Sequence, residues 1–106
     1  MREITTGELS KILKEHKRWI DTDEKEGQCA DLSNADLQGA NFFGANLSGA
    51  KMHGANLSGS DLHGANLSST DLHGTDLSAA DLQGADFFRA DLRGANLSGT
   101  NLSGAS

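Results

Sequence analysis

Proline is absent from all 106 residues, and cysteine and tryptophan occur once each. A chain without proline suits a fold that uses its backbone N–H groups in ladders, where proline has no donor to give. With Cys29 alone, no intrachain disulfide can form and no cysteine-rich metal site exists. Long apolar runs are also missing. The start, Met1-Arg2-Glu3-Ile4-Thr5-Thr6, lacks the apolar core of a signal peptide, and nothing approaches a transmembrane span, so a cytoplasmic protein is expected. Basic residues are few: Lys and Arg total 9 against 15 Asp and Glu, for a net charge of −6. Nucleic acids and anionic membranes need a basic footprint, so neither is an expected partner. Basic proteins, including those whose usual ligand is DNA, are permitted. The length allows one small domain without a large conventional core.

What is present is one pentapeptide, repeated. Stepped by five from Ala30, the sequence reads Ala30-Asp31-Leu32-Ser33-Asn34, Ala35-Asp36-Leu37-Gln38-Gly39, Ala40-Asn41-Phe42-Phe43-Gly44. The register holds without insertion or deletion through Thr100-Asn101-Leu102-Ser103-Gly104, fifteen copies in all. The positions are small, Asx, Leu, polar and Gly. Small and Leu lie two apart with Asx between them, which is strand alternation: small in, Asx out, Leu in. Gly as the third residue of a four-residue turn suits type II geometry, which needs a positive φ. Each copy is therefore a very short strand and a corner. No copy can bury its Leu alone, so the copies must stack.

Residues 1–29 differ. Leu9, Ile12, Leu13, His16, Trp19 and Ile20 recur at helical spacing and form one apolar stripe. Thr5 and Glu8 stand as a capping box requires, so the spacing predicts a helix from Thr6 to Ile20. Gly27 marks a turn into the first repeat. A basic amphipathic helix can lie on a membrane or in a partner's groove. Here a cap over the exposed end of a solenoid is the stronger expectation, with Trp19 and His16 packing on the coil below.

The run of Ala, Asp or Asn, Leu, polar and Gly resembles the pentapeptide-repeat proteins, and the resemblance covers Ala30 to Ser106. It implies an all-β solenoid, a right-handed quadrilateral parallel β-helix in which four pentapeptides make one square coil. Residues twenty apart then stack, and the repeats form just under four coils, roughly 18–20 Å long at strand spacing. The expected domains are 1–29, a capping helix and loop, and 30–106, the β-helix. The inward columns become Leu32, Met52, Leu72 and Leu92; Leu37, Leu57, Leu77 and Leu97; Phe42, Leu62, Leu82 and Leu102; and Leu47, Leu67 and Phe87.

Function must lie in departures from the repeat. Ser60, Thr70, Thr75 and Thr100 at the small position bring hydroxyls that need backbone partners. At the Gly position Asn34 tolerates a positive φ, but Ser69, Ala79 and Arg89 do not, which predicts another turn type there. Phe43 and Phe88 occupy outward positions, either as partner contacts or lying flat over a neighbouring corner. His53 and His73 stack in one column with Arg93 next, and the three are read as solvated polar positions or as further partner contacts; a shared metal would need a third ligand, and none is evident beyond nearby Asp. Lys51 is the only non-Asx residue at the Asx position, read as a neutralising charge. Serine columns such as Ser58, Ser78 and Ser98 lack a base, so no nucleophile is expected, and ice-binding solenoids generally use Thr. The pattern stops at Ser106, leaving Phe87, Leu92, Leu97 and Leu102 on an open coil with unpaired edges. Two chains could meet end to end there, or the sequence could belong to a longer chain.

The expected function is a non-enzymatic structural or protein-interaction module, without metal or cofactor, whose protein partner the sequence does not name. The resemblance adds an alternative: some members of the family mimic duplex DNA, bind type II topoisomerases, and inhibit gyrase or protect it from quinolones. A metal- or ice-binding solenoid is a remoter one.

Overall fold

One repeat shows why the chain winds. In the computed structural model, which describes residues 1–106, every backbone N–H of the copy Thr70–Gly74 has an acceptor. Thr70 donates to the Leu67 carbonyl at 3.2 Å, closing the corner, and Asp71 to Ala50 at 3.0 Å. Leu72 donates to Asp91 at 2.9 Å and Gly74 to Arg93 at 2.9 Å. The His73 N–H goes to the Asp71 side chain, Oδ1, at 3.2 Å. Since all five donors are used, proline fits at none of the five positions.

The bonds between copies form parallel bridges whose partners are twenty residues apart, from Asp31 with Lys51 to Asp81 with Asn101. Leu32, Met52, Leu57, Leu62, Leu67, Leu72, Leu77 and Leu82 are fully buried inside the stack, with Phe42 and Leu47. Small residues such as Ala35, Ala55 and Ala85 are buried beside them. The alternation read from the sequence therefore holds. Thr70, Thr75 and Thr100 find carbonyl acceptors at Leu47, Leu72 and Leu97. Ser60 is buried without a partner for its hydroxyl.

One expectation is extended and one is corrected. The outward Asx is not merely solvated: its Oδ1 accepts the N–H two residues on, forming an Asx turn in fourteen of the fifteen copies. The exception is the copy with Lys51. Nor do Ser69, Ala79 and Arg89 adopt another turn; they keep the left-handed backbone of the glycines, at φ 57°, 58° and 62°. Ladder bonds hold two of them there, with Ser69 donating to Phe88 and Ala79 to Ser98, each at 2.8 Å.

Helix α1 spans Thr6–Asp21, one residue longer than expected, with Thr5 as N-cap and a complete capping box with Glu8. Leu9 and His16 are its buried residues, and Ile12 and Leu13 pack on the core. Gly27 is the close approach: at φ 74°, a Cβ there would meet Arg18 Cβ at 2.7 Å and Trp19 N at 2.8 Å. A short strand unforeseen in the sequence, β1 (Arg2–Glu3), pairs in parallel with β2 (Ala35–Asp36) and extends the ladder on the helix side.

Candidate functional site

His16 is the joint between α1 and the first repeats. Its Nδ1 accepts the Ala30 N–H at 2.9 Å, so Nε2 carries the proton and donates to the Ser48 carbonyl at 2.8 Å. Burial lowers its pKa, partly offset by the Ser48 bond. Trp19 stacks on His16 with ring centroids 5.4 Å apart, and its indole lies against Gly49. Both residues serve the packing of the helix. Cys29 is half-buried nearby, and burial pushes its thiol pKa up, which disfavours the nucleophilic thiolate.

The outward side chains divide among the four sides of the stack. On one side run Asp31, Lys51, Asp71 and Asp91, bridged in succession. Two residues on in each copy come Ser33, His53, His73 and Arg93. The His53 and His73 rings stack at 5.1 Å, 9° from parallel. Asp71 stands beside both, its Oδ1 2.6 Å from His73 Nδ1 and its Oδ2 3.5 Å from His53 Nδ1. Partial burial pushes the Asp71 pKa up, but hydrogen bonds from the His73 ring and amide outweigh it and leave the carboxyl low. Arg93 does not join them. It turns to Asp91 in a fork, Nε to Oδ1 at 2.9 Å and Nη2 to Oδ2 at 2.6 Å. Those bonds hold the Asp91 pKa at about 2. The sequence named both histidines and pointed to nearby Asp, without singling out Asp71. The signal was available once copies stack at twenty residues, which sets Asp71 beside Lys51 and so close to His53.

Phe43 and Phe88 are exposed, at 64% and 63%, and do not lie flat over corners. Phe43 meets His63 edge to face at 5.2 Å, and the Arg89 guanidinium sits 5.2 Å from the Phe88 ring centre. Their columns are separate, so they form two contact points rather than one patch. The serine hydroxyls are occupied locally, those of Ser58, Ser68, Ser78 and Ser98 donating to the Asx of their own copies. At the end of the stack away from α1, Phe87, Leu92 and Leu97 are partly buried and Leu102 is 45% exposed. No helix is long and apolar enough to cross a membrane.

The family model for pentapeptide repeats (8 copies) matches residues 28–64 and 65–104. Among solved structures, a pentapeptide repeat protein from Nostoc is 36% identical, covering 84% of this chain and 73% of its own, with a TM-score of 0.59. A pentapeptide repeat protein of the Arabidopsis thaliana thylakoid lumen is 32% identical over 71% of this chain, with a TM-score of 0.52; this chain spans 59% of its length. QnrB1, a plasmid-mediated fluoroquinolone resistance protein, is 27% identical over 71% of this chain and 39% of its own, with a TM-score of 0.40. No curated protein sequence matches. The chain belongs to the pentapeptide-repeat family, whose members fold as right-handed quadrilateral β-helices.

Proposed function

We propose that the protein is a non-enzymatic protein-interaction module. In this reading residues 1–29 close a rod of just under four coils formed by residues 30–106, and the rod presents side chains to a protein partner in the cytoplasm. The observation that carries it is the mounting of the two exposed phenylalanines. Phe43 and Phe88 each donate their amide to an Asx oxygen at 2.9 Å, so a turn bonded to the stack fixes the backbone beneath each ring. A large apolar group on a backbone ordered in advance loses little entropy when a partner covers it. The test compares wild type with a Phe43→Ser/Phe88→Ser variant in affinity capture from the source cell, followed by binding of the captured protein in purified form. The reading expects a partner that binds the wild type directly and at least tenfold more tightly than the variant, about the loss of one hot-spot contact. A variant that melts like wild type and binds every captured protein equally well would refute it.

A second reading, mimicry of duplex DNA toward a type II topoisomerase, is favoured by the stacked carboxylates of Asp61 with Asp81 and Asp71 with Asp91. Lys51 interrupts that acidic surface and Arg93 neutralises part of it, which places this reading second. A gyrase supercoiling assay decides it: no change with tens of micromolar added protein removes it.

A further inference from the structure

We propose that His53, Asp71 and His73 form a binding site for a borderline divalent cation of the Zn²⁺, Ni²⁺ or Cu²⁺ type. One ligand atom from each of the three lies within 4.8 Å of the other two. Both Nδ1 atoms face the same carboxylate, one on each of its oxygens. The His53 Nδ1 is shielded from solvent and makes no hydrogen bond, an unsatisfied position that a metal ion would satisfy.

The spacing suits such an ion. Bonds of about 2.0–2.2 Å in a tetrahedral site set neighbouring donors roughly 3.3–3.5 Å apart. The His53–Asp71 separation of 3.5 Å already meets that. His73 must give up its 2.6 Å hydrogen bond and move outward. The two imidazoles, now 9° from parallel, must also tilt toward one another, because an ion has to lie near the plane of each ring. Their side chains are 37% and 49% exposed, which leaves room for that rotation. The backbone need not change, since the parallel bridge between Lys51 and Asp71 sets the vertical spacing.

Donor chemistry selects the class. Two imidazoles and one carboxylate suit Zn²⁺, Ni²⁺ and Cu²⁺, whereas Mg²⁺ and Ca²⁺ require mostly oxygen ligands. Water would complete the coordination. The nearest guanidinium is already committed, with Arg93 locked in its fork on Asp91. The Asp71 amide-binding oxygen also holds the carboxylate in place through the His73 N–H, at 3.2 Å.

The test is titration of the full chain with ZnCl₂ by calorimetry, and with CoCl₂ by visible absorption. The expected result is one ion per chain, with paired shifts of the His53 and His73 ring resonances. Asp71→Asn removes the charge yet keeps the turn, as asparagine does at 56 and 66, and it should weaken binding at least about tenfold. His53→Ala should do the same, and His63→Ala, on another side, should not. Absence of binding at millimolar Zn²⁺, or equal binding by wild type, Asp71→Asn and His53→Ala, would overturn the proposal.

Discussion

The Nδ1 of His53 lies 3.5 Å from Oδ2 of Asp71, a carboxylate from the coil above rather than from its own copy. Its own copy carries Lys51 at the Asx position. Where every other copy supplies an Asx oxygen to the N–H two residues on, this one supplies an ammonium on a flexible stem. The finding changes the meaning of Asx in the repeat, from an outward polar residue to the acceptor that closes each turn.

Asp76 tests that role. Asp76 accepts the Ser78 amide at 2.9 Å and the Ser78 hydroxyl at 2.6 Å. Asp76→Ala should cost about 1 kcal/mol, the net worth of a hydrogen bond lost from an ordered turn. Asp76→Asn should be nearly neutral, because Asn56 makes the same contacts one coil below. Equal destabilisation by both substitutions in urea melts would show that charge, not the turn, matters.

The Leu columns carry the packing. Leu72 and Leu77 are fully buried in mid-stack. Truncation of a buried Leu costs about 2–5 kcal/mol, and Leu72→Asn or Leu77→Asn adds a buried amide without partners. Either variant should lose its cooperative circular-dichroism transition. A melt close to that of wild type would contradict the packing described here.

Ala79 occupies the left-handed region at φ 58°. That conformation costs an L-residue roughly 1–2 kcal/mol, while glycine's extra unfolded-state entropy takes back about 0.5–1. Ala79→Gly should therefore stabilise by up to about 1.5 kcal/mol. The reverse change, Gly59→Ala, meets no atom within 4 Å and should destabilise through its φ of 65° alone. Chemical denaturation of the pair measures both signs.

Stability should fall with acid in two steps. His16 is held neutral, its pKa lowered by burial. The unfolded chain then binds the extra proton first, so stability is lost as pH drops below the usual histidine value of about 6.5 and levels off once the folded pKa is passed. The carboxyls of Asp31, Asp71, Asp76 and Asp91 are all held low in the fold. Their contribution is complete above the usual value of about 3.9 and disappears as pH falls through the folded values, the lowest at about 2. Melting temperatures from pH 8 to 2 should show both steps, and His16→Gln should remove the upper one.

Local periodicity made much of this legible. The unbroken five-residue register placed the inward positions, the family resemblance supplied the four copies per coil that set them in columns, and the Thr5–Glu8 pair placed the start of α1. Other features depend on contacts that spacing does not reveal. Ser69, Ala79 and Arg89 look unfit for a left-handed turn; the shared corner geometry, and for Ser69 and Ala79 the ladder bonds to the next coil, impose it. Arg2–Glu3 is too short to read as a strand, yet Ala35–Asp36 offers an edge that it pairs. The nearness of Asp71 to His53 arises from stacking and from which way each side chain leans. Phe43 and Phe88 were legible as outward positions, but their exposure was not.

The central claim is that residues stack at a separation of twenty. NMR contacts between backbone protons across the bridges test it most directly. Asp71 should show interstrand contacts with Lys51 and Asp91, and Asp61 with Asn41 and Asp81. Contacts at separations of fifteen or twenty-five residues instead would contradict the coil, and with it the placement of every outward side chain.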